Sequence, residues 1–291
     1  MNLPMKAYSH KHPKASPLIN AIPEAADKAR SMNLPYWIIA QDTNPFGIVI
    51  VGQEPQQLTA PSGTPIALIT LEPTQVSSEN LPDFISTATK LVTAKNLANA
   101  LVTISFKHRR AIRQFLQAGF EPFDYYYLMY RQLSQQWTLT TELRFESVKQ
   151  RETREWFKMA TRFLAGTADT ALNHNLQYML DLSDTFLTRY HASEKLYFVA
   201  KGDTTIGILD IHGTKGWIGN MAVDPRSRRQ GCGKQIRTFA LNQLKARGCS
   251  KAGLRVHVNN KPACQLYSSF GFKKTARFKR LLWWNHRYIT S

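Results

Sequence analysis

Hydrophobic residues in the first half of the chain form two patterns: short continuous runs, and segments with apolar positions three or four residues apart. Short runs predict buried strands, and the wider spacing predicts helices that are apolar on one face. This places helices at 23–32, 81–98 and 109–118, and strands at 36–40, 46–51, 66–71, 101–106 and 123–133. The alternation of strands and helices predicts an α/β or α+β fold.

The second half repeats these patterns. It predicts strands at 142–147, 195–200, 205–212, 217–223 and 252–258, and several strands within 272–284. It predicts helices at 151–164, 171–190, 262–270 and one ending at Arg247. Gly248 lies where a helix C-terminus favours a positive φ. The polar stretch "SQQWTLTT" between the halves predicts a linker. We therefore predict two domains, residues 1–135 and 136–291, each a mixed, twisted β-sheet flanked by helices.

The two halves also resemble each other in sequence. "YWIIA" and "FGIVI" in the first half match "LYFVA" and "IGILD" at an offset of 160 residues. "TLEP" matches "AVDP" at an offset of 152, and Gly119-Phe120 falls on Gly271-Phe272 at the same offset. One gap near residues 53–65 reconciles the two offsets. We interpret the halves as two copies of one domain.

Composition limits the class of protein. Hydrophobic residues make up 43% and charged residues 20% of the chain, as in ordinary globular proteins. No apolar run has the length of a membrane helix, and the first residues contain no apolar signal segment. The three cysteines have no metal-ligand spacing and are odd in number. These features predict a cytoplasmic protein with free thiols, no metal and no membrane partner.

The net charge of +18 lies almost entirely in the second half. That half therefore attracts polyanions, which include nucleic acid, an anionic surface and a phosphorylated cofactor. The basic runs "HRRAIR" and "KKTARFKR" would suit nucleic acid, but we favour solvated helix and strand faces for them.

The stretch "VDPRSRRQGCGKQIR", residues 223–237, joins a predicted strand to a predicted helix. It contains the pattern R-x-x-G-x-G, from Arg228 to Gly233. Glycines let the backbone approach a ligand closely. A helix that begins there points unpaired N–H groups and its positive dipole end outward, which suits a pyrophosphate.

A second motif follows in "NKPACQLYSSFGF", residues 260–272. Together the two motifs resemble the acetyl-CoA-dependent GNAT N-acetyltransferase superfamily over residues 143–284. The whole chain resembles a tandem GNAT protein with a degenerate first copy. The resemblance implies acetyl-CoA as co-substrate and no metal.

The resemblance also implies roles for individual residues. Cofactor contacts would come from strand-edge backbone, from the glycine loop with its basic side chains, and from an asparagine near the cofactor. These residues are Met221, Ala222, Val223, Arg228, Arg229, Gln230, Gly231, Cys232, Gly233, Lys234 and Asn260. The catalytic acid would be Tyr267, since a phenol stays protonated at neutral pH and can donate to a leaving thiolate.

The general base is not identified. Some family members carry a Glu five residues before the asparagine, but this chain has Arg255 there. His257, Asp210 and His212 are the other candidates, and each is more often structural than catalytic. An acceptor amine that is already neutral, or a water chain, would need none of them.

The first copy lacks the motif. Val76, Glu79 and Leu81 occupy the positions of the arginine and the two glycines, and Phe115 occupies that of the tyrosine. We therefore expect the first copy not to bind CoA.

The sequence thus predicts an N-acetyltransferase that passes an acetyl or short acyl group to an unidentified primary amine, on a small molecule or a protein, by direct attack. Two other classes stay open: an inactive acyl-CoA-binding sensor or scaffold, and a basic nucleic-acid-associated module. The oligomeric state is not indicated.

Overall fold

The computed structural model describes residues 4–139 and 141–289, without the side chains of residues 287 and 289. The elements of the first half, in chain order, are β1 (Met5–Ser9), α1 (Ala15–Asn20), α2 (Pro23–Met32), β2 (Tyr36–Gln41), β3 (Asn44–Gln53), β4 (Pro65–Leu71), α3 (Leu81–Ala94), β5 (Asn99–Ser105), α4 (Arg109–Gln117) and β6 (Glu121–Gln132).

The second half continues with β7 (Leu143–Ser147), α5 (Thr153–Leu164), α6 (Thr170–Leu176), α7 (Asp184–Ser193), β8 (Lys195–Lys201), β9 (Thr204–His212), β10 (Trp217–Val223), α8 (Cys232–Ala246), β11 (Lys251–His257), α9 (Lys261–Ser268), β12 (Lys273–Trp284) and α10 (His286–Ile289).

Most predicted elements are present, with three differences. The predicted helix 171–190 is two helices, because Ser183 starts α7 by accepting a hydrogen bond from the Phe186 N–H. β1, α1 and α10 were not predicted. Residues 273–284 form one long strand rather than several. Gly248 has a φ of 80°, as its position after α8 predicted.

The chain divides into two compact units. Unit 1 comprises residues 1–56, 63–125 and 278–291, and unit 2 comprises 57–62 and 126–277. This division differs from the predicted 1–135 and 136–291, since the end of β12 belongs with the first copy. The reason is a long-range antiparallel pairing of β12 with β5, from Phe278 opposite Ser105 to Trp284 opposite Asn99. Local sequence patterns do not specify such a partner.

In unit 1 the strand order is β1-β2-β3-β4-β5-β12, and β4 and β5 are parallel. One face of this sheet packs against α1 and α2, with a core that includes Ile22 and Ala25. The other face packs against α3 and α4, with a core that includes Phe84 and Phe115. The sheet is therefore covered on both faces.

In unit 2 the strand order is β6-β11-β10-β9-β8-β7, and β10 and β11 are parallel. The face toward α5, α6 and α7 has a core around Trp156 and Phe163. The face toward α8 and α9 has a core around Ile236 and Leu241. The helices α8 and α9 lie on the same face of the sheet, and each follows one of the two parallel strands: α8 follows β10, and α9 follows β11. Among the described residues of the chain, no helix combines the length and apolar character that crossing a bilayer requires.

The strand registers agree with the repeat. Gly47 pairs with Leu71 in unit 1, and their counterparts Gly207 and Val223 pair in unit 2. The same holds for Val49 with Ile69 and for Leu209 with Met221.

Further along these strands the copies diverge. In unit 1, Ile66 pairs with Gly52 in an unbroken ladder. In unit 2 the counterparts of Ile66 and Gly52 are Ile218 and His212. Ile218 pairs with Ile211 instead, because the register shifts between Ile218 and Met221. Unit 2 thus has a β-bulge in β10 that unit 1 lacks.

Candidate active site

β10 and β11 separate near the bulge. Of the described residues of these two strands, only Trp217 and Gly253 pair. The corresponding parallel strands of unit 1, β4 and β5, pair at four successive positions, from Ile66 opposite Asn99 to Ile69 opposite Val102. We call the opening between β10 and β11 beyond Trp217 and Gly253 the β10–β11 cleft. Strand-edge backbone groups that face it are available to a ligand.

The predicted strand-edge residues lie at this cleft on β10. Met221 and Val223 are partly buried against the core on the α8 side, and Ala222 is buried against the core on the α5 side. Their side chains therefore anchor the strand in both cores. The backbone of 221–223 is what the cleft presents.

The loop after β10 leads into the N-terminus of α8. Gly231 precedes the helix with a φ of 82°, and an added Cβ would meet nothing within 4 Å. Arg229 also has a positive φ, of 61°. Alternation of left-handed residues with the first turn of a helix points successive N–H groups to one side, as in anion sites.

The first turn of α8 has no side-chain cap and no acidic residue. In the described structure, the N–H groups of residues 229–233 donate no backbone hydrogen bond outside regular elements, whereas those of Lys234 and Gln235 donate to the Gly231 carbonyl. Gly231 and Lys234 are exposed, and Cys232 is buried beneath them. This helix start can therefore receive an anion.

Not every predicted basic side chain is available to a ligand. The Arg228 guanidinium donates to the Val223 carbonyl from Nε at 3.1 Å and to the Phe163 carbonyl at 2.8 Å. Gln230 donates from its side-chain amide to the Arg226 carbonyl at 3.2 Å. Arg228 and Gln230 thus fix the loop, and the side chains of Arg229 and Lys234 remain exposed beside it.

Asn260 and Tyr267 lie at the two ends of α9. The Asn260 side chain caps the helix by accepting a hydrogen bond from the Ala263 N–H at 3.2 Å. Tyr267 is 7% exposed and packs against Phe272. Burial raises the pKa of Tyr267 to about 12, while the nearby Arg237 acts in the opposite direction. Its hydroxyl therefore stays protonated throughout the physiological range.

Two of the predicted base candidates are hydrogen-bonded within unit 2. His257 accepts from the Asn259 N–H on Nδ1 at 3.3 Å, and it is buried. His212 forms a close pair with Glu194 through Nε2. Arg255, at the position of the family's acid, is exposed and lies over the Tyr126 ring at 5.3 Å.

The third candidate, Asp210, lies under the bulge. Its Oδ2 accepts from the Asn220 backbone N–H at 3.0 Å, the Asn220 amide at 2.7 Å and the Tyr190 hydroxyl at 3.1 Å. A Cβ on Gly219 would overlap Asp210 Oδ1. Asp210 is 1% exposed. Burial raises the pKa of Asp210, and the hydrogen bonds from Asn220 and Tyr190 act against that rise.

Glu194 extends this buried polar cluster. Its side chain is 3% exposed. Burial raises the pKa of Glu194 to about 8, with a further rise from Asp210 and an opposing effect from Lys215. Burial and Lys215 lower the pKa of His212. At neutral pH the Glu194–His212 pair is therefore largely neutral, and the Glu194 carboxyl can donate to the His212 ring.

Sequence reasoning missed Tyr190, Glu194, Gly219 and Asn220. The repeat contained a signal: at its two offsets, the apolar Leu34, Ile50 and Leu68 of the first copy correspond to Glu194, Asp210 and Asn220. Three apolar core positions that become polar together indicate a feature specific to one copy.

The model of the acetyltransferase (GNAT) family matches residues 151–272. That range contains the bulge, the glycine loop, α8, β11 and α9. The predicted resemblance is therefore confirmed for the domain that carries the β10–β11 cleft.

Two curated relatives match over 55 residues. The ribosomal protein bS18-alanine N-acetyltransferase of Haemophilus ducreyi is 46% identical there, and the enzyme of that name from Escherichia coli K12 is 38% identical. The matches cover 19% of this chain, and 38% and 37% of those relatives. The chain thus spans less than two fifths of the length of the curated relatives it matches.

Solved structures match over nearly the whole chain. A GCN5-related N-acetyltransferase from Sphaerobacter thermophilus has a TM-score of 0.65 at 15% identity, with 96% of both chains covered. A tandem GNAT protein from the clavulanic acid biosynthesis pathway has a TM-score of 0.61 at 10% identity, with 96% of this chain and 98% of that chain covered. These likenesses show the fold, and they confirm the predicted fold class.

Proposed function

The chain carries a domain of the acetyltransferase (GNAT) family at residues 151–272, and we propose that this domain transfers an acetyl or other short acyl group from acetyl-CoA to a primary amine. The observation that carries the proposal is the β10–β11 cleft, which opens next to the uncapped N-terminus of α8. A strand edge beside a helix dipole suits a ligand that combines an amide-rich arm with a pyrophosphate.

The residues present fit such a ligand. The backbone of 221–223 offers hydrogen-bonding groups to the arm, and the N–H groups of residues 229–233 face the phosphates, whereas the Lys234 N–H is taken by the Gly231 carbonyl. Gly231 leaves room for close approach, since no atom lies within 4 Å of where its side chain would be. Arg229 and Lys234 supply positive charge, and Arg228 and Gln230 hold the loop in place. Asn260 caps the start of α9, the helix that follows β11.

Acetyl-CoA supplies an acyl thioester: the amine nitrogen bonds to the acyl carbon as the carbon–sulfur bond breaks, and the amine loses a proton while the thiolate gains one. Tyr267 donates a hydrogen bond to the developing thiolate. The pKa of Tyr267 is about 12, whereas a cysteine thiol, which stands here for the leaving alkyl thiol, has a pKa of about 8.5. Complete transfer of the Tyr267 proton to the thiolate is therefore unfavourable. Its contribution is therefore stabilisation of the negative sulfur by a hydrogen bond.

The proton that the amine loses is assigned to solvent. His257, Asp210 and His212 each hold hydrogen-bond partners in unit 2. An amine that enters the cleft neutral needs no side-chain base. This route predicts a rate that rises with pH until the acceptor amine itself is deprotonated.

The acceptor is proposed from the curated relatives. Both are named for acetylating an alanine of a ribosomal protein. A protein amino terminus is therefore the first acceptor to test, although Arg255 stands where the family's acid would be.

Unit 1 is proposed not to bind CoA. Its counterpart strands β4 and β5 stay paired, and its β4 has no bulge. The first turn of its α3, which begins at Leu81, contains Pro82, which has no N–H, and the acidic Asp83. An acidic residue and a missing donor at a helix start disfavour an anion. Unit 1 then contributes structure rather than cofactor chemistry.

The test is a thiol-release assay with acetyl-CoA and a panel of amines that includes a peptide with an amino-terminal alanine, the same peptide with a blocked terminus, and small polyamines. Steady release with one acceptor class, and an acetylated product by mass spectrometry, is the expected result. Tight acetyl-CoA binding without turnover on any amine would replace the enzyme with an acyl-CoA sensor.

A further inference from the structure

The two copies differ at one cross-strand pair next to the cleft. In unit 1, Ile50 on β3 pairs directly with Leu68 on β4, and both are buried. The counterparts in unit 2 are Asp210 on β9 and Asn220 on β10, which lie inside the register shift. An apolar pair in a regular ladder has thus become a polar pair in a bulge.

The polar pair and the bulge depend on each other geometrically. Asp210 accepts from both the backbone N–H and the side-chain amide of Asn220, which fixes that residue in position. Tyr190, on α7, donates to the same oxygen. Gly219 leaves the space that the Asp210 carboxylate fills. Together these contacts hold the extra residue of β10 on the α5–α7 side of the sheet.

Such an arrangement costs stability. A buried carboxylate loses its hydration, and the polar pair replaces packing that unit 1 achieves with aliphatic side chains. A regular β10 could pair with β11 over several residues, as β4 does with β5. The bulge changes the strand's direction and ends that pairing, which is a recognised effect of bulges near functional sites.

We propose that Asp210 is a positioning residue that keeps the β10–β11 cleft open by fixing the bulge at Gly219 and Asn220. The proposal rests on the proposed function for the statement that acetyl-CoA occupies the cleft. Tyr190 supports Asp210 from α7. Asp210 itself is not assigned any contact with the substrate.

The test restores the pair of unit 1 in unit 2 with the double variant Asp210→Ile/Asn220→Leu. Hydrogen exchange of the β10 amides at 221–223 reports the cleft directly, without any ligand. We expect slower exchange there in the double variant, as β10 pairs with β11, and acetyl-CoA affinity weaker by roughly tenfold or more. Asp210→Asn, whose amide oxygen can still accept from the Asn220 N–H, should keep exchange and affinity near the wild-type values.

A second control is Tyr197→Phe, which removes a polar group of unit 2 that contacts Gln243 and Arg247 and not the bulge residues. It should leave β10 exchange unchanged. A folded double variant with wild-type exchange at 221–223, or with slowed exchange but wild-type acetyl-CoA affinity, overturns the proposal. Failure of the wild-type chain to bind acetyl-CoA would instead overturn the proposed function, and the exchange measurement would still decide whether Asp210 controls the cleft.

Discussion

Tyr267 packs edge to face against Phe272, with ring centroids 5.7 Å apart, and the counterpart residues of unit 1, Phe115 and Phe120, pack in the same manner at 4.9 Å. The aromatic pair therefore belongs to the fold of both copies. What unit 2 adds is the Tyr267 hydroxyl. Removal of the hydroxyl oxygen of Tyr267 would therefore test its chemical role while its packing role is kept.

Tyr267→Phe should lower kcat by about 10²-fold, because the thiolate loses its hydrogen-bond donor. Acetyl-CoA affinity and the melting temperature should change little, since unit 1 shows that a phenylalanine packs in this place. Steady-state kinetics on the identified acceptor, with calorimetry for affinity, provides the measurement. Phe115→Tyr in unit 1 is the matched control and should leave kcat unchanged. If kcat of Tyr267→Phe equals that of the wild type, Tyr267 serves packing alone.

Gly231→Asp should abolish measurable acetyl-CoA binding. The change places a carboxylate at the uncapped start of α8, where the helix dipole and free N–H groups favour an anion from the ligand instead. Isothermal titration should give one site per chain for the wild type and none for the variant.

Gly202→Asp is the control, because Gly202 also has a positive φ, of 57°, and open surroundings, but lies in the turn between β8 and β9. It bears the same backbone strain and should bind acetyl-CoA as the wild type does. Binding by Gly231→Asp that equals binding by Gly202→Asp would contradict our placement of the phosphate site. Two sites in the wild type would contradict the proposal that unit 1 does not bind CoA.

How far the sequence predicts this molecule depends on the range of the contacts involved. The correspondence of Gly47 with Gly207 and of Leu71 with Val223 followed from the repeat, and the strand registers of the two units agree with it. The glycine loop and the start of α8 followed from local residue types. The position of Gly248 followed from the need for a positive φ after a helix.

Other features depend on distant partners. The assignment of residues 278–284 to the unit 1 sheet arises from pairing with β5, more than 170 residues earlier. The bonds of Arg228 to two backbone carbonyls, one of them in α5, could not be read from a motif in which arginine suggests phosphate. The bulge arises from Asp210, Asn220 and Gly219 acting together. No local motif indicates this contact, and only the comparison of the two copies shows that these positions differ.

Gly219→Ala should lower the free energy of unfolding by about 2–3 kcal/mol, because the added Cβ overlaps the carboxylate of the buried Asp210. Chemical denaturation measures the effect. Gly233→Ala is the control, since the nearest atom to its added Cβ is Leu266 Cδ2 at 3.7 Å, an ordinary contact. The double variant Gly219→Ala/Asp210→Ala should lose less stability than the sum of the single variants. Strict additivity would show that the two positions do not interact.

Glu194 should make stability depend on pH. Burial and the neighbouring Asp210 raise the pKa of Glu194 to about 8 in the folded chain, and the pKa in the unfolded chain is about 4.3. Between these values the folded state keeps a proton that the unfolded state releases. The free energy of unfolding therefore falls as pH rises through this window, by up to about 1.4 kcal/mol per pH unit from this group.

Glu194→Gln keeps the shape and removes the titration, so its unfolding free energy should vary less between pH 5 and 8, and its stability relative to the wild type should rise with pH. His212, Lys215, Asp210 and Tyr190 face Glu194 or its cluster and are unchanged in the variant. Urea denaturation at successive pH values provides the measurement. Glu146→Gln, at an exposed glutamate of β7, is the control and should run parallel to the wild type. A Glu194→Gln curve that also runs parallel to the wild type would show that the buried carboxyl does not hold its proton at neutral pH.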